Sequence, residues 1–146
     1  MYRLLSVLML LSCVSKNHTV EERLRSYIDL SFHASAGDKD RLLGFLTADV
    51  HDRLASWSED QFREAFVESK RELLKVTIRE FKKIGDDEVA ITYELELLDY
   101  GKHKKTPCKV TQKKLCQMVR RNQVWLIAEV RSLKELIEYQ DELSLP

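Results

Sequence analysis

A chain of 146 residues with 44% apolar and 33% charged residues has the size and composition of one globular domain with a core of its own. Its 24 basic and 24 acidic residues cancel, which excludes a surface matched throughout to a polyanion. The four glycines, Gly37, Gly44, Gly85 and Gly101, lie far apart, so no glycine-rich phosphate loop and no G-x-S-x-G or G-x-G-x-x-G motif is present.

Tyr2 and Arg3 precede an apolar run, Leu4 to Leu11, after which the chain turns polar at Ser15-Lys16-Asn17-His18. This is the layout of an export signal, and the run is too short for a transmembrane helix, which takes about 20 residues. Its end, Leu10-Leu11-Ser12-Cys13, resembles the lipobox of bacterial lipoprotein precursors. The resemblance implies cleavage between Ser12 and Cys13, acylation of the Cys13 sulfur and then of its new amine. It also implies an anchor of two or three acyl chains, since one chain holds a protein at a membrane only marginally. Val14 stands where an aspartate would resemble the inner-membrane retention signal, so the resemblance favours the periplasmic face of the outer membrane. The division expected is a signal peptide over 1–12, a lipidated tether over 13–19 and one domain over 20–146. Asn17-His18-Thr19 also matches a glycosylation sequon, which in a bacterial lipoprotein is merely tether.

Thr19-Val20-Glu21-Glu22 reads as a capping box, and Val20, Leu24, Tyr27, Ile28 and Phe32 recur at helical spacing, predicting a helix over Val20 to Ala34. Gly37 is expected to end it. Asp38 is expected to cap a short helix carrying Leu42, Leu43, Phe45 and Leu46, with another short helical turn over Thr47 to Leu54. Ser58-Glu59-Asp60-Gln61 is a second capping box, with Trp57 and Phe62 placed as a hydrophobic staple and Phe66 and Val67 following on the same face. From Leu73 the period changes to two. One strand runs to about Ile84, Gly85-Asp86-Asp87 forms a turn, and Val89, Ile91, Tyr93, Leu95 and Leu97 then alternate with more polar residues over Glu88 to Asp99. A basic third strand and a fourth over Val124 to Val130 follow, joined by the turn Arg120-Arg121-Asn122-Gln123. Ser132-Leu133-Lys134-Glu135 reads as a last capping box opening a short C-terminal helix with Leu136 and Ile137.

Helices first and strands afterwards predict an α+β domain, with N-terminal helices packed on a curved antiparallel sheet of about four strands. This order resembles the nuclear transport factor 2-like (SnoaL-like) superfamily, a cone of sheet closed by helices. The hairpin from Val119 through Arg120-Arg121-Asn122-Gln123 to Trp125 and Ile127 is similar to that superfamily's last hairpin, although Asn122-Gln123 replaces a glycine-containing turn.

The resemblance implies either a non-catalytic binding or scaffold domain or a small-molecule isomerase or dehydratase with Asp, His or Tyr inside the cone. Tyr93 is the polar group on the inward face of the central strand, so an apolar, acid-free interior is expected. His33 and His51 have no spacing that pairs them with a carboxylate, and no histidines or cysteines have zinc-site spacing. No cofactor and no metal are expected. Lys102, Lys104, Lys105, Lys109, Lys113, Lys114, Arg120 and Arg121 fall in a stretch without an acid. Of these, Lys102, Lys104, Lys105, Lys109, Arg120 and Arg121 are candidate contacts to an anionic surface, but the preferred reading is that lysines protect an edge strand from pairing. No aromatics interleave with them, which argues against nucleic acid. The expected function is therefore a lipid-anchored envelope protein whose domain binds a protein partner or a small apolar ligand. Cys108 and Cys116 are expected to remain unbridged, because a straight strand holds them about 26 Å apart while bridged Cα atoms lie within about 4.4 to 6.8 Å.

Overall fold

The computed structural model describes residues 15–101 and 106–138, with side chains from residue 19 onward within those ranges. The first helix, α1, spans Ser15–His33 and buries Val20, Leu24 and Ile28, one residue per turn, at 2% exposure or less. Burying an aliphatic side chain of this kind stabilises by about 1.5–3 kcal/mol. The helical backbone continues N-terminally past Thr19, so Thr19 lies inside α1 and is not its cap. The helix stops ahead of Gly37. Ser35 donates from its backbone N–H and its hydroxyl to the Asp38 carboxylate, both at 2.9 Å, and nucleates a 3₁₀ turn over Ala36–Asp38. Asp38 therefore holds the N-cap position of α2, Lys39–Leu43, as expected, but its carboxylate turns back to Ser35 and caps no N–H of that helix.

Helix α3 spans Ala48–Ala55 and α4 spans Glu59–Phe62, the latter opened by the predicted capping box. The Gln61 N–H donates to Ser58 Oγ at 3.1 Å, and the Ser58 N–H donates to Gln61 Oε1 at 2.8 Å. A π-helical turn, Arg63–Val67, continues α4. The Trp57 ring packs on Phe66 at 6.1 Å, and Phe66 stacks on the buried Phe62 at 5.0 Å. The indole thus reaches its staple partner through a third ring.

Four antiparallel strands follow: β1 Arg71–Gly85, β2 Glu88–Asp99, β3 Cys108–Arg121 and β4 Val124–Glu138, paired in that order. The pairing of β2 with β3 is unbroken from Glu88↔Val119 to Asp99↔Cys108. The other two pairings carry bulges: Leu74, Arg79 and Ile84 are the extra residues of β1, and Ala128 and Leu133 those of β4. Each bulge bends its strand and adds twist, so a straight central pair lies between two bent outer strands and the open sheet curves. Val89, Ile91, Tyr93, Leu95 and Leu97 all face the core.

Two expectations are corrected by this topology. The segment from Ser132 is no helix: β4 runs on to Glu138, its backbone paired with Lys109 to Lys114 of β3. Nor is the basic strand an edge, because β3 lies between β2 and β4. The sheet edges are β1 and β4. One point of the β4 edge is covered, where Thr47 N–H donates to the Ile127 carbonyl at 3.0 Å and Ile127 N–H to the Phe45 carbonyl at 2.7 Å. Arg23 of α1 ties this corner together: its guanidinium stacks 4.0 Å over the Phe45 ring and donates to the carbonyls of Gly44, at 2.8 Å, and Trp125, at 3.2 Å.

Candidate functional site

Residues opposite each other on antiparallel strands project from the same face, so the β2–β3 register shows which β3 side chains meet the helices. They are Cys108, Val110, Gln112, Lys114, Cys116 and Met118, across from Asp99, Leu97, Leu95, Tyr93, Ile91 and Val89. Cys108, Val110, Cys116 and Met118 are buried. Gln112 and Lys114 interrupt this apolar row, and at their level the helices leave a cavity of about 500 Å³.

Tyr27, Ile28, Ser31 and Phe32 of α1 form one wall, and Glu64, Ala65 and Phe66 of the π-helical turn form another. Arg71 enters at the start of β1, Tyr93 and Leu95 line the cavity from β2, and Val130 closes it from β4. The lining is therefore not the acid-free apolar interior expected: two cations, one carboxylate and an amide share it with the hydrocarbon.

Burial dominates the electrostatics. It pushes the Tyr93 hydroxyl above the ordinary tyrosine range, with further pushes from Cys116 and Tyr27, and it raises Tyr27 in the same way, assisted by Cys116. It pushes the Cys116 thiol up to about 12. On Lys114 burial acts in the opposite sense, because the protonated form is the charged one. Its ammonium is held below the ordinary lysine range by desolvation and by the Arg71 charge, with Glu135 pulling weakly the other way. Arg71 Nε stands 3.7 Å from Asp99 Oδ2. Among the described residues Lys114 has no ion-pair partner within 4.0 Å. No carboxylate or histidine figures among the groups that perturb Tyr93 or Tyr27.

The residues singled out from sequence do not come together here. Ser12, Cys13, Lys102, Lys104 and Lys105 lie outside the described residues. Lys109, on the outer face, approaches Glu96 at 3.6 Å. Arg120, at the far end of β3, donates to Asp87 at 2.9 and 2.7 Å and lies 5.4 Å over the Trp125 ring, while Arg121 is exposed beside the turn. The basic strand lacks acids of its own but finds them on β2 and in the turn that leads into it. His33 is exposed and His51 half-buried, and neither lines the cavity; each does have a carboxylate neighbour, Asp29 at 3.2 Å and Asp52 at 3.3 Å, contrary to the expectation from spacing. The residues that sequence reasoning missed are Arg71, Gln112 and Lys114. Their signal was phase: Gln112 and Lys114 occupy the inward positions of an otherwise apolar alternation.

Comparison with protein-family models and with curated proteins returns no match. Solved structures do match in shape. The SEC-C motif-containing protein RPA3114 from Rhodopseudomonas palustris aligns over 80% of each chain with a TM-score of 0.59 at 11% identity. The NTF2-like, potential transfer protein TraM of the Gram-positive conjugative plasmid pIP501 aligns over 81% of this chain and 97% of its own, with a TM-score of 0.55 at 10% identity. The fold is nuclear transport factor 2-like. The intermembrane space region of the chloroplast protein ARC6 is similar too, over 80% of this chain and 93% of its own, with a TM-score of 0.52 at 13% identity. At such identities a nuclear transport factor 2-like likeness describes architecture and leaves function to the site.

Proposed function

We propose that this protein is a lipid-anchored lipoprotein of a bacterial envelope, on the periplasmic face of the outer membrane, whose cone-shaped domain binds a partner or a small ligand without acting on it. The anchor rests on Leu10-Leu11-Ser12-Cys13 at the end of an apolar run. The binding role rests on one observation: the cavity is large enough for a small molecule, yet no carboxylate or histidine among the described residues figures in the groups that perturb Tyr93 or Tyr27. Acid–base catalysis needs a donor and an acceptor with pKa values near working pH. Tyr93 is driven away from that range, so it can hold a proton but not take one.

The test of the anchor is Cys13→Ser. Wild type should partition into detergent and the variant should be uncleaved or soluble; wild type recovered as a soluble protein cleaved elsewhere overturns the anchor. The alternative is an isomerase- or dehydratase-like enzyme, and Lys114 favours it, since a half-buried lysine of lowered pKa opposite a tyrosine can serve as a base. That reading requires turnover of some carbonyl substrate that disappears in Lys114→Met.

A further inference from the structure

The inner face of the sheet is core from Val89 to Leu97 on β2, and β3 would match it but for Lys114 and Gln112. A lysine at such a position normally extends to solvent or meets a carboxylate. Lys114 is half-buried and meets no carboxylate within ion-pair distance among the described residues: it lines the cavity, and the charge it feels most strongly is Arg71, another cation lining the same cavity. Two like charges at the rim of a partly dry cavity repel each other, and an anion between them removes that repulsion. Gln112, next to Lys114 on the same face, adds an amide donor. Glu64, itself exposed, lines the cavity from the π-helical turn. Ile28, Phe32, Phe66, Leu95 and Val130 supply hydrocarbon walls, and Tyr27, Ser31, Ser69 and Tyr93 add hydroxyls.

We propose that this cavity binds an apolar carboxylate, with the carboxylate between Arg71 and Lys114 and the hydrocarbon tail against Ile28, Phe32 and Phe66. The assignment rests on the binding reading above and narrows it to one class of ligand. Arginine suits this head group because its planar fork can hold both carboxylate oxygens, while lysine supplies a compact charge. The tail supplies affinity in proportion to the apolar area it covers. Neither half alone fits the lining: a small anion leaves the hydrocarbon walls wet, and a neutral chain leaves Lys114 without a counter-charge and Arg71 with Asp99 alone.

Calorimetric titration of the full chain with decanoate, decanol and acetate separates these contributions. Decanoate should bind saturably at one site, decanol at least tenfold more weakly, and acetate without detectable saturation. Lys114→Met, which keeps the length of the side chain and removes its charge, should bring decanoate down to the level of decanol, while Lys114→Arg should retain it; a thermal melt of each variant reports its folding. Arg71→Gln, at an exposed strand start, gives the same reading from the other cation. Equal binding of decanoate and decanol would overturn the carboxylate assignment and leave the ligand-binding reading standing. Absence of binding by both would overturn the two together. Decanoate binding unchanged in folded Lys114→Met and Arg71→Gln would place the ligand elsewhere and likewise overturn the assignment.

Discussion

Lys114 stands directly across the β2–β3 ladder from Tyr93, the charged group of one strand level with the deepest polar group of the other. Tyr93 is 2% exposed, and its neighbours along β2, Ile91 and Leu95, are buried with it. A lysine held at that level without a counter-ion is a stability cost retained in the folded state.

Replacing Lys114 by Met should therefore stabilise the protein, by about 1 kcal/mol, at the low end for a buried charge because solvent still reaches the side chain. The difference should depend on pH. Because the folded-state pKa is lowered, the folded protein releases this proton before the unfolded chain does. Wild type regains stability as pH rises through the lowered pKa toward the ordinary lysine value, and the variant does not. Urea unfolding of both proteins at neutral pH and at successively higher pH measures it; a gap that widens with pH contradicts the account.

The β3–β4 turn offers a second stabilisation. Asn122 and Gln123 both have positive φ, 51° and 65°, as a two-residue hairpin turn with the twist of its strands requires. Asparagine tolerates this backbone well; glutamine does not, at a cost of about 1–2 kcal/mol for an ordinary side chain. Gln123→Gly should raise stability by roughly 0.5–1 kcal/mol after the greater freedom of glycine in the unfolded chain is counted. The midpoint of urea unfolding should rise with the slope unchanged.

Alkali should destabilise the fold before it ionises the core. Tyr93, Tyr27 and Cys116 all have folded pKa values above their ordinary ones, so above about pH 9 to 10 the unfolded chain loses protons that the folded chain keeps. Stability from these groups is complete below pH 9 and falls as pH rises through that window, by roughly 1 kcal/mol per pH unit for each group in play. In a spectrophotometric titration at 295 nm, two of the five tyrosines should stay silent until a cooperative unfolding step. A smooth titration of all five without unfolding would show that Tyr93 and Tyr27 are wetter than described.

Cys108 and Cys116 lie on one continuous strand and no disulfide joins them. Both are buried, so neither should react with a thiol reagent in the native Cys13→Ser protein, and both should react once it is unfolded without reductant. Recovery of no reactive thiol would break the continuity of β3.

Strand β2 was legible to the residue, Glu88 to Asp99, because an interior strand has its inward face packed and its outward face crossed by charges, and both demands are written in its own alternation. Its partners were harder. The start of the C-terminal strand was found at Val124, but from Ser132 the local pattern is that of a capped helix, and a local pattern carries no record of the β3 backbone that captures it. The bulge at Leu133 shifts the alternation at the same place, which removes the signal that would have competed with the helix. The cavity was obscured for a related reason. Lys114 was visible as one cation in a basic run, but its inward phase depends on the β2 register, and Arg71 reaches the same cavity from the other edge of the sheet. The pairing of Lys109 with Glu96 and of Arg120 with Asp87 likewise needs two strands at once.

The three bulges of β1 decide where this chain can lose a residue. Removing one residue from a regular strand turns every side chain beyond it onto the opposite face. Removing Leu74, Arg79 or Ile84 does not, because each is the extra member of its bulge and its neighbours already alternate correctly across it. Deletion there would straighten the strand while leaving Leu73, Val76, Ile78 and Phe81 facing the core. A lineage carrying this fold can therefore shorten β1 in single steps at these three points and flatten its sheet by degrees, whereas β2 and β3, locked in one unbroken register, admit no such step.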